Sequence, residues 1–471
     1  SPRPPPLPLS MRFLHSPLII AVVTCRCYSS SIIHHRLTFP SAHVRHRSCL
    51  LTTTSMSRME SSASAIAGDA AFSPPTKVVD GSQLEGGGQI LRNAVSYGAV
   101  LGQGVEVRKI RANRKPKPGL RPQHLTGMRL AVNICGGHLH GDEIGSMAVS
   151  YDPPSDNAPV AIETKEEGNP PTVIGDTGTA GSICLLLQTA LPCALFAAQP
   201  SLPRLVELEL RGGTNADMAP QIDYFTEVFL PVVTDGFGLP HIDVNVERRG
   251  YFPRGGGIVR ARVPSATKKL KPIRLVEQGR VCDVRIRAFH AGKVRRLVAQ
   301  KMANTAIQVL RREAGDDAVP STLRPMVEVV HETSAVGSGS GLILIARTST
   351  GCLLAGSALG RPKVRAEKTG ENAALELVSA LRDGGCVDEW LQDQLVLFMA
   401  LADGESEVLT GCLTLHTQTA IMVATELTGA HFEIKRLCYD DTRETSECGS
   451  KYGAAGRISG KHIIRCKGIG F

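Results

Sequence analysis

One histidine, His416, stands where a helix should begin in this 471-residue chain. It follows the apolar, strand-like run LTL and heads the stretch HTQTAIMVATEL. The free amides and positive dipole end of a helix N-terminus disfavour imidazolium by roughly 0.3 to 1 kcal/mol, and they attract phosphate oxygens. Alone, a histidine at such a junction is more often a capped structural residue. Together with the phosphate-binding residues described next, the position predicts a neutral ring that attacks phosphorus.

A carboxylate and a basic run could hold a phosphorylated ligand elsewhere in the chain. Glu85 stands just before three glycines, and hard oxygen ligands of its kind suit Mg²⁺. Residues 108–121 include seven basic side chains and no acidic one, and Gln123 and His124 follow shortly after. A basic run is usually a solvated face, but the prolines within this one favour a shaped loop that faces a polyanion.

The net charge of +9 is concentrated at the N-terminal end. Residues 1–59 hold seven arginines with no lysine and no acid, so the rest of the chain is nearly neutral. Residues 1–76 are therefore predicted to be a disordered or targeting extension, in which Met11, Met56 and Met59 are candidate translation starts. The apolar run 18–23 is too short to span a bilayer, and we expect no transmembrane helix.

Common metal and nucleotide motifs are missing from the sequence. The thirteen cysteines include no CxxC pair, which predicts neither a zinc site nor a disulfide framework and suits a reducing compartment. The run GRISGKH has the wrong spacing for a P-loop, and the GSGSG run 337–341 lacks the strand-then-helix setting of a dinucleotide fingerprint. A nucleotide would therefore need a site of another kind.

Apolar spacing repeats along the body of the chain. Helical stretches at 90–101 and 183–194 follow glycine-rich turns, and a third, around Ala374, Val378 and Leu381, repeats the spacing without glycines. Alternating strands such as 206–210 lie between them. We therefore predict an α/β (α+β) fold of three βαβαββ units, at 77–152, 170–263 and 366–467.

The stretch between the second and third units breaks the period. It has its own strand and helix signals, so we predict a small inserted α/β domain at 272–365 within a large catalytic domain formed by 77–271 and 366–471. A low-order loop at 440–460 would delay the last strand.

The segment RGYFPRGGGIV at 249–259 matches a family signature: Arg or His, Gly, two free positions, Pro, one free position, three Gly, one free position and an aliphatic residue. Resemblance extends through DGSQLEGGGQILR, IRANRKPKPGLRPQHL, GTAGSICLLLQTALP, RGGTNADMAPQIDYF, DEWLQDQL and LTLHTQTA. The body of the chain thus resembles eukaryotic members of the RNA 3'-terminal phosphate cyclase family. The signature glycines would allow a tight hairpin and close backbone approach rather than perform chemistry.

This resemblance implies an enzyme that uses ATP to convert an RNA 3'-phosphate into a 2',3'-cyclic phosphate, through a histidine adenylated on nitrogen. It also implies three units similar to the C-terminal domain of translation initiation factor three, plus an inserted domain. The partner would be RNA with a 3'-phosphate end, with no membrane and no zinc. The eukaryotic family implies the nucleus (nucleoplasm), or a plastid or mitochondrion if the extension is a transit peptide.

Site residues are assigned by the same resemblance. His416 would be the nucleophile, and Glu85 would bind Mg²⁺ or Mn²⁺. The triphosphate or the RNA terminal phosphate would be held by Arg92, Arg111, Arg114, Gln123 and His124, and the nucleotide by Gln188, Pro220, Trp390, Asp393 and Gln394. Trp390 stands where related enzymes usually carry Tyr; it keeps a ring that can stack on adenine but loses the phenol.

Two other functions compete with the cyclase. A non-catalytic, cyclase-like factor in ribosomal RNA processing would share this architecture, but intact HTQTA and Glu85 favour the enzyme. A carboxyvinyl transferase of related repeat architecture would need a phosphosugar-like substrate site, and it gains nothing from RGYFPRGGG.

Overall fold

The computed structural model describes residues 76–114, 116–155, 170–196, 204–437 and 456–471. The predicted extension up to residue 75 and most of the predicted loop at 440–460 lie outside these residues. Within the described ranges, no helix combines the length and the apolar character needed to cross a membrane.

Two units on the N-terminal side share one topology. The first consists of β1 (Lys77–Asp80), α1 (Gly88–Leu101), β2 (Val105–Arg108), α2 (Pro122–Cys135), β3 (His138–His140) and β4 (Ala148–Asp152). The second consists of β5 (Thr172–Asp176), α3 (Ile183–Phe196), β6 (Leu205–Gly212), α4 (Ile222–Tyr224), a π-helical turn (Phe225–Phe229), α5 (Leu230–Phe237), β7 (Asp243–Arg248) and β8 (Gly257–Pro264). Their strand orders are β1-β2-β4-β3 and β5-β6-β8-β7.

A third unit starts with β9 (Arg274–Leu275) and is interrupted directly after that strand. The inserted unit comprises β10 (Val281–Ala291), α6 (Arg296–Glu313), β11 (Met326–His331), β12 (Gly339–Thr348), β13 (Leu353–Leu359) and α7 (Ala366–Asp383). The third unit resumes with α8 (Leu391–Leu401), β14 (Glu405–Thr410), α9 (Leu415–Thr428), β15 (His431–Leu437) and β16 (Lys461–Lys467). Its order β15-β16-β14-β9 repeats the first two sheets, so the predicted α/β fold is confirmed.

Helix α7 differs from its predicted assignment. The apolar residues Ala374, Val378 and Leu381 were assigned to the third repeat, but α7 packs with α6 on the sheet of β10 to β13. The first helix of the third repeat is instead α8, and its first strand, β9, pairs with β14. Helical spacing reveals a buried face without identifying the sheet that covers it. The predicted division into domains stays a prediction.

The inserted sheet is covered on both faces. Along β12, Leu342 and Leu344 pack against α6 and α7, whereas Ile343 and Ile345 belong to the main core of the three repeats. This follows from the two-residue period of a strand, which sends alternate side chains to opposite faces. The two chain segments that connect the insert to the third unit contact each other: Gln278 Nε2 donates a hydrogen bond to the carbonyl of Gly385 at 2.8 Å.

Helix α9 has clear start and stop signals. Thr414 is its N-cap, and Gly429 ends it with φ of 77°, a conformation that glycine adopts without strain. The run LTL is not a strand, because β14 already ends at Thr410 and Leu415 is the first helical residue. His416 is therefore the second residue of the helix.

Candidate active site

His416 lies on the first turn of α9, whose backbone is fixed from two sides. The Thr414 hydroxyl accepts a hydrogen bond from the backbone N–H of Thr417 at 3.1 Å. From α8, the buried Gln392 accepts bonds through Oε1 from the backbone N–H of Thr414 at 3.1 Å and from the Thr417 hydroxyl at 2.8 Å. The His416 side chain itself is exposed. The ring is therefore accessible while its backbone is held.

The His416 ring is oriented by Gln89, near the start of α1. Gln89 Nε2 donates to Asp393 Oδ2 at 2.6 Å, since an ionised carboxylate can only accept. The amide oxygen of Gln89 therefore faces His416 and lies 2.8 Å from Nδ1. Nδ1 then carries the proton and donates it, which leaves the lone pair on Nε2. This arrangement selects the tautomer that a nitrogen nucleophile requires.

Asp393, which is half-buried on α8, stands at the far end of these hydrogen bonds. Burial raises its pKa to about 6, while the charges of His416 and Arg92 act in the opposite direction. The carboxylate is thus ionised at neutral pH. Its charge, relayed by Gln89, favours the positive charge that develops on the ring when Nε2 bonds to an electrophile.

Glu85 lies on the turn between β1 and α1 and folds back over the glycines. A Cβ on Gly87 would lie 2.1 Å from both carboxylate oxygens of Glu85, so any larger residue there would displace this carboxylate. The backbone N–H of Glu85 donates to Thr419 Oγ1 at 3.2 Å, which ties this turn to α9 one turn beyond His416. Oε1 pairs with Arg114, whereas Oε2 is buried with no hydrogen-bond partner in the described part of the chain.

The unpartnered oxygen of Glu85 fits a hard divalent cation. The described residues contain no group of three or more His, Cys, Asp or Glu that could hold a metal. The protein would therefore contribute one carboxylate, with water and ligand phosphates completing the shell, as Mg²⁺ commonly binds. The predicted metal role of Glu85 stays a prediction with this support.

His124 is a neutral donor surrounded by arginines. Burial, followed by the charges of Arg92, Arg111 and Arg121, lowers its pKa to about 3. Nδ1 accepts a hydrogen bond from the backbone N–H of Arg121 at 3.3 Å, which leaves the proton on Nε2. That nitrogen reaches the start of α1, where a Cβ on Gly88 would lie 2.3 Å from it. The ring can donate to an anion without adding charge.

Positive charge exceeds negative charge around this turn. Burial and the charges of Arg114 and Arg121 lower the pKa of Arg111, and only Glu85 opposes them. Arg111 satisfies two main-chain carbonyls of its own loop, Lys117 at 3.3 Å and Gly119 at 3.1 Å. Guanidinium groups gathered around one carboxylate favour a phosphorylated polyanion.

Two glutamines connect this cluster to α3 of the second unit. Gln123 Oε1 accepts from the backbone N–H of Ser182 at 2.7 Å, and Arg92 Nε donates to Gln188 Oε1 at 3.1 Å. The structure therefore groups His416, Glu85 and the five predicted phosphate contacts around the turn between β1 and α1 and the adjoining start of α2. We call this set the phosphate pocket: Glu85, Arg92, Arg111, Arg114, Gln123, His124 and His416.

The predicted nucleotide contacts are divided between different places. Gln188, Asp393 and Gln394 line one small cavity of about 30 Å³ beside Gln89. Trp390 lines a second cavity of about 280 Å³, where its indole N–H donates to Glu376 Oε1 at 2.9 Å. Pro220 is buried ahead of α4 and is not among the lining residues of either cavity. The structure thus does not bring Trp390 and Pro220 to the cavity of the other three.

Sequence reasoning missed the residues that orient the nucleophile. Gln89 and Gln392 are uncharged, and neither type suggests chemistry by itself. The available signal was position: Gln89 ends EGGGQ at a buried site of an otherwise apolar helix face, and Gln392 does the same in DEWLQDQL. A buried amide requires hydrogen-bond partners, which here are the ring and the helix cap.

Comparison with known proteins identifies the family to which the chain belongs. The profile of a family described as RNA 3'-terminal phosphate cyclase matches residues 83–434. A probable RNA 3'-terminal phosphate cyclase of Dictyostelium discoideum is 37% identical over 399 residues, covering 84% of each chain. The RNA 3'-terminal phosphate cyclase of Drosophila melanogaster is 37% identical over 395 residues, covering 83% of this chain and 96% of its own.

An archaeal relative extends the match. The RNA 3'-terminal phosphate cyclase of Methanopyrus kandleri is 39% identical over 332 residues, covering 70% of this chain and 86% of its own. The mixed α/β fold, with one strand order repeated in three sheets, agrees with the fold class expected of these relatives. The chain belongs to the RNA 3'-terminal phosphate cyclase family.

Proposed function

We propose that this protein converts the 3'-phosphate of RNA into a 2',3'-cyclic phosphodiester, with ATP consumed and His416 carrying AMP between steps. One observation carries the proposal: Nδ1 of His416 is hydrogen-bonded to Oε1 of Gln89. Nε2 therefore holds the lone pair of the ring, beside a pocket rich in arginine. Family membership supplies the expected substrate. A non-catalytic factor would have no need for a ring with a selected tautomer.

The first step forms the covalent intermediate. Nε2 attacks the α-phosphorus of ATP, a P–N bond forms, and the P–O bond to pyrophosphate breaks so that pyrophosphate leaves with the electron pair. The ring becomes positively charged, and Asp393 stabilises it through Gln89. Arginines of the phosphate pocket balance the charge of the triphosphate.

Two further steps move the phosphorus chemistry to the RNA. An oxygen of the RNA 3'-phosphate attacks the phosphorus of AMP, and the P–N bond breaks with its electrons returning to Nε2. The neighbouring 2'-hydroxyl then attacks the 3'-phosphorus, loses its proton and expels AMP. His124 donates an uncharged N–H toward the phosphates throughout, because its low pKa keeps the ring neutral.

A divalent cation, Mg²⁺ or Mn²⁺, would neutralise phosphate charge when bound. Glu85 is the residue that would hold it, through the buried Oε2 that has no partner among the described residues. Gln188, Asp393 and Gln394 would contact the nucleoside from their shared cavity. Trp390, from the adjoining larger cavity, would stack on the base only after its side chain turns away from Glu376. Nuclear residence stays a prediction.

Labelling of the protein with ATP tests the proposal directly. Incubation of wild type with ATP labelled on the α-phosphate should give an acid-labile protein adduct, and His416→Ala should give none. His431→Ala is the matched control, because His431 is also exposed in the third unit but lies on β15. Equal labelling of wild type and His416→Ala would show that another residue carries the nucleotide.

The competing function has its own outcome in the same assay. A wild-type protein that binds RNA 3'-phosphate ends without labelling, and without producing cyclic ends, would be a non-catalytic factor. Cyclic ends are detected by treating the RNA with phosphatase, which removes a 3'-phosphate but leaves a cyclic phosphate intact. Electrophoresis then separates the two RNAs.

A further inference from the structure

The signature segment forms a hairpin whose tip carries an exposed aromatic ring. Phe252 is 80% exposed, while its neighbour Tyr251 is buried and stacks on Phe289 of the insert at 5.8 Å. We call residues 249–257 the signature hairpin. A flat apolar ring held at a rigid turn, with its own backbone anchored, is available for contact with something outside the chain.

The signature hairpin lies next to the phosphate pocket. A Cβ on Gly255 would lie 2.1 Å from the carbonyl oxygen of Thr179, so the hairpin rests on the turn before α3. At the other end of that turn, Gln123 of the phosphate pocket binds the backbone N–H of Ser182 at 2.7 Å. The turn at residues 177–182 therefore contacts both the signature hairpin, at Gly255, and the pocket, at Gln123.

On its other side the signature hairpin adjoins a loop of the insert. The backbone N–H of Val336 donates to the carbonyl of Arg249 at 2.9 Å, and the Val336 side chain lies against Gly256. Ser338 Oγ in turn accepts from the backbone N–H of Lys293 at 3.0 Å. The hairpin, the 336–338 segment and the start of α6 therefore form one continuous edge.

This edge carries positive charge that no carboxylate neutralises. Arg254, Lys293, Arg295 and Arg296 are exposed, and none forms an ion pair with another described residue. Arg260, by contrast, pairs with three glutamates. We call Arg254, Lys293, Arg295 and Arg296 the basic track. Unpaired cations on the same edge as an exposed ring attract a polyanion that also offers flat bases.

We propose that the signature hairpin and the basic track bind the RNA strand upstream of its 3'-phosphate. Phe252 stacks on a base, and the basic track contacts the phosphates that follow. A surface that binds a protein is expected to contain acidic as well as apolar residues. On this edge, every exposed charge is positive, which favours RNA. This inference rests on the proposed function, since it takes RNA as the ligand of the adjoining pocket.

Substrate length provides the test. Cyclisation is measured with an RNA of about twelve nucleotides and with a dinucleotide, both ending in a 3'-phosphate. Phe252→Ala should raise KM for the longer RNA by about 5- to 150-fold, the range expected for loss of one stacked base, and leave KM for the dinucleotide unchanged. Phe252→Tyr is the matched control, because it keeps the ring and should keep KM.

The basic track is tested by salt. Arg295→Ala combined with Arg296→Ala should reduce the slope of log affinity against log salt for the longer RNA, because fewer counterions are released on binding. The control pair Arg312→Ala and Arg382→Ala removes two cations from a distant part of the insert, where both interact with Glu313. Affinity is followed by fluorescence anisotropy.

Failure of this inference differs from failure of the proposed function. If Phe252→Ala changes KM equally for both substrates, or for neither, the RNA surface is refuted while adenylylation still stands. If wild type neither labels with ATP nor cyclises RNA, the proposed function fails. In that case the affinity for the longer RNA, measured by fluorescence anisotropy, tests the proposed RNA-binding surface. Weaker binding by Phe252→Ala supports this surface, and unchanged binding refutes it. Because Phe252 is exposed, its replacement should leave ATP labelling intact.

Discussion

Gln89 shows how an uncharged side chain determines what a histidine can do. It joins His416 Nδ1, at 2.8 Å, to Asp393, at 2.6 Å, through the two ends of one amide. Without it the ring could adopt either tautomer and rotate about its side-chain bonds. In the proposed reaction, the reactivity of His416 thus depends on a residue that holds the ring through Nδ1, on the side away from Nε2.

Replacing Gln89 by Leu should slow transfer to His416 without removing the nucleophile. Loss of two hydrogen bonds leaves the tautomer unselected and Asp393 without its donor, so we expect the rate of labelling by ATP to fall about 10- to 100-fold. Single-turnover labelling measures this rate. Gln103→Leu is the control, because Gln103 follows the same helix and is not among the lining residues of either cavity. An unchanged rate in Gln89→Leu would mean that Gln89 does not position the ring.

His124 should make the fold sensitive to acid. Its pKa is about 3 in the folded chain, because of burial and of Arg92, Arg111 and Arg121, against an ordinary value of 6.5. Below pH 6.5 the unfolded chain therefore binds a proton that the folded chain does not, and stability falls as pH drops toward 3. The loss is at most about 1.4 kcal/mol per pH unit.

Substitution isolates this contribution. His124→Gln, which stays neutral, should lose less free energy of unfolding than wild type between pH 6.5 and 4.5, by up to about 2 to 3 kcal/mol. Chemical denaturation at both pH values gives the comparison. Parallel losses in the two proteins would show that the folded His124 ring accepts a proton as readily as the unfolded one.

At the scale of residues, the sequence identifies groups whose chemistry is specific. His416, Glu85 and the arginines stand out as a set, although each type alone more often has a structural or solvated role. Gln89 and Gln392 do not stand out, since an amide acquires its role from the partners that folding brings to it. Pro220 and Trp390 do stand out in the sequence, but the structure does not place them in the cavity of the other predicted nucleotide contacts. The direction of a side chain, which decides the cavity that it lines, is set by the fold.

At the scale of elements, the cap of α9 links stability to activity. Thr414 accepts from the backbone N–H of Thr417, and its own N–H is held by Gln392. Removal of the hydroxyl frees the first turn, on which His416 lies.

Thr414→Ala should therefore cost about 0.5 to 2 kcal/mol of unfolding free energy and also slow labelling of His416 by ATP. Thr414→Ser keeps the hydroxyl and should preserve both. Denaturant unfolding and single-turnover labelling are measured on the same preparations. If Thr414→Ala loses stability but labels at the wild-type rate, the cap is purely structural.

The helices also show where elements could be predicted and where they could not. Helices α1 and α3 follow from apolar spacing that starts after a glycine-rich turn, and both occur as expected. Helix α7 has the same spacing but packs on another sheet. Its assignment could not be predicted, because apolar spacing indicates that a helix face is buried without indicating which sheet covers it. Helix α8 is buried on most of its surface, so it lacks the polar face that would have marked it.

At the scale of the whole molecule, the signature arginine holds the insert on the repeats. Arg249 forms two hydrogen bonds of 2.7 Å with Asp223 of α4 and lies 3.3 Å from Glu332 of the insert. Arg287 of β10 reaches Glu332 at 2.9 Å. Arg249 and Asp223 are both buried, and Arg287 also lies 3.1 Å from Asp223, so the four side chains compensate one another's charge as one network.

Arg249→Met should cost about 3 to 5 kcal/mol, because Asp223 is left buried and less well paired. Adding Asp223→Leu should recover much of this loss, since the buried and less well paired carboxylate is then removed. Arg274→Met is the control, because its pair with Glu407 is exposed and should contribute at most about 1 kcal/mol. A loss below 1 kcal/mol for Arg249→Met would contradict the buried network.

The family signature thus combines two roles that its sequence does not separate. The glycines behave as expected: a Cβ on Gly250 would lie 2.2 Å from the backbone nitrogen of Gly257, and Gly255 has φ of 64° against the turn before α3. The role of Arg249 could not be predicted, because its partners lie in other elements, at Asp223 and Glu332. Long-range pairing of this kind is not contained in a local pattern.

The position of the insert breaks an otherwise threefold scheme. In the first two units the connection from opening strand to helix is a short glycine-rich turn, which in one case carries Glu85 and in the other receives Gln123. In the third unit the whole insert, from β10 to α7, occupies that connection. The proposed site consequently combines His416 of the third unit with Glu85 and the arginines of the first, and among the described residues neither unit holds both.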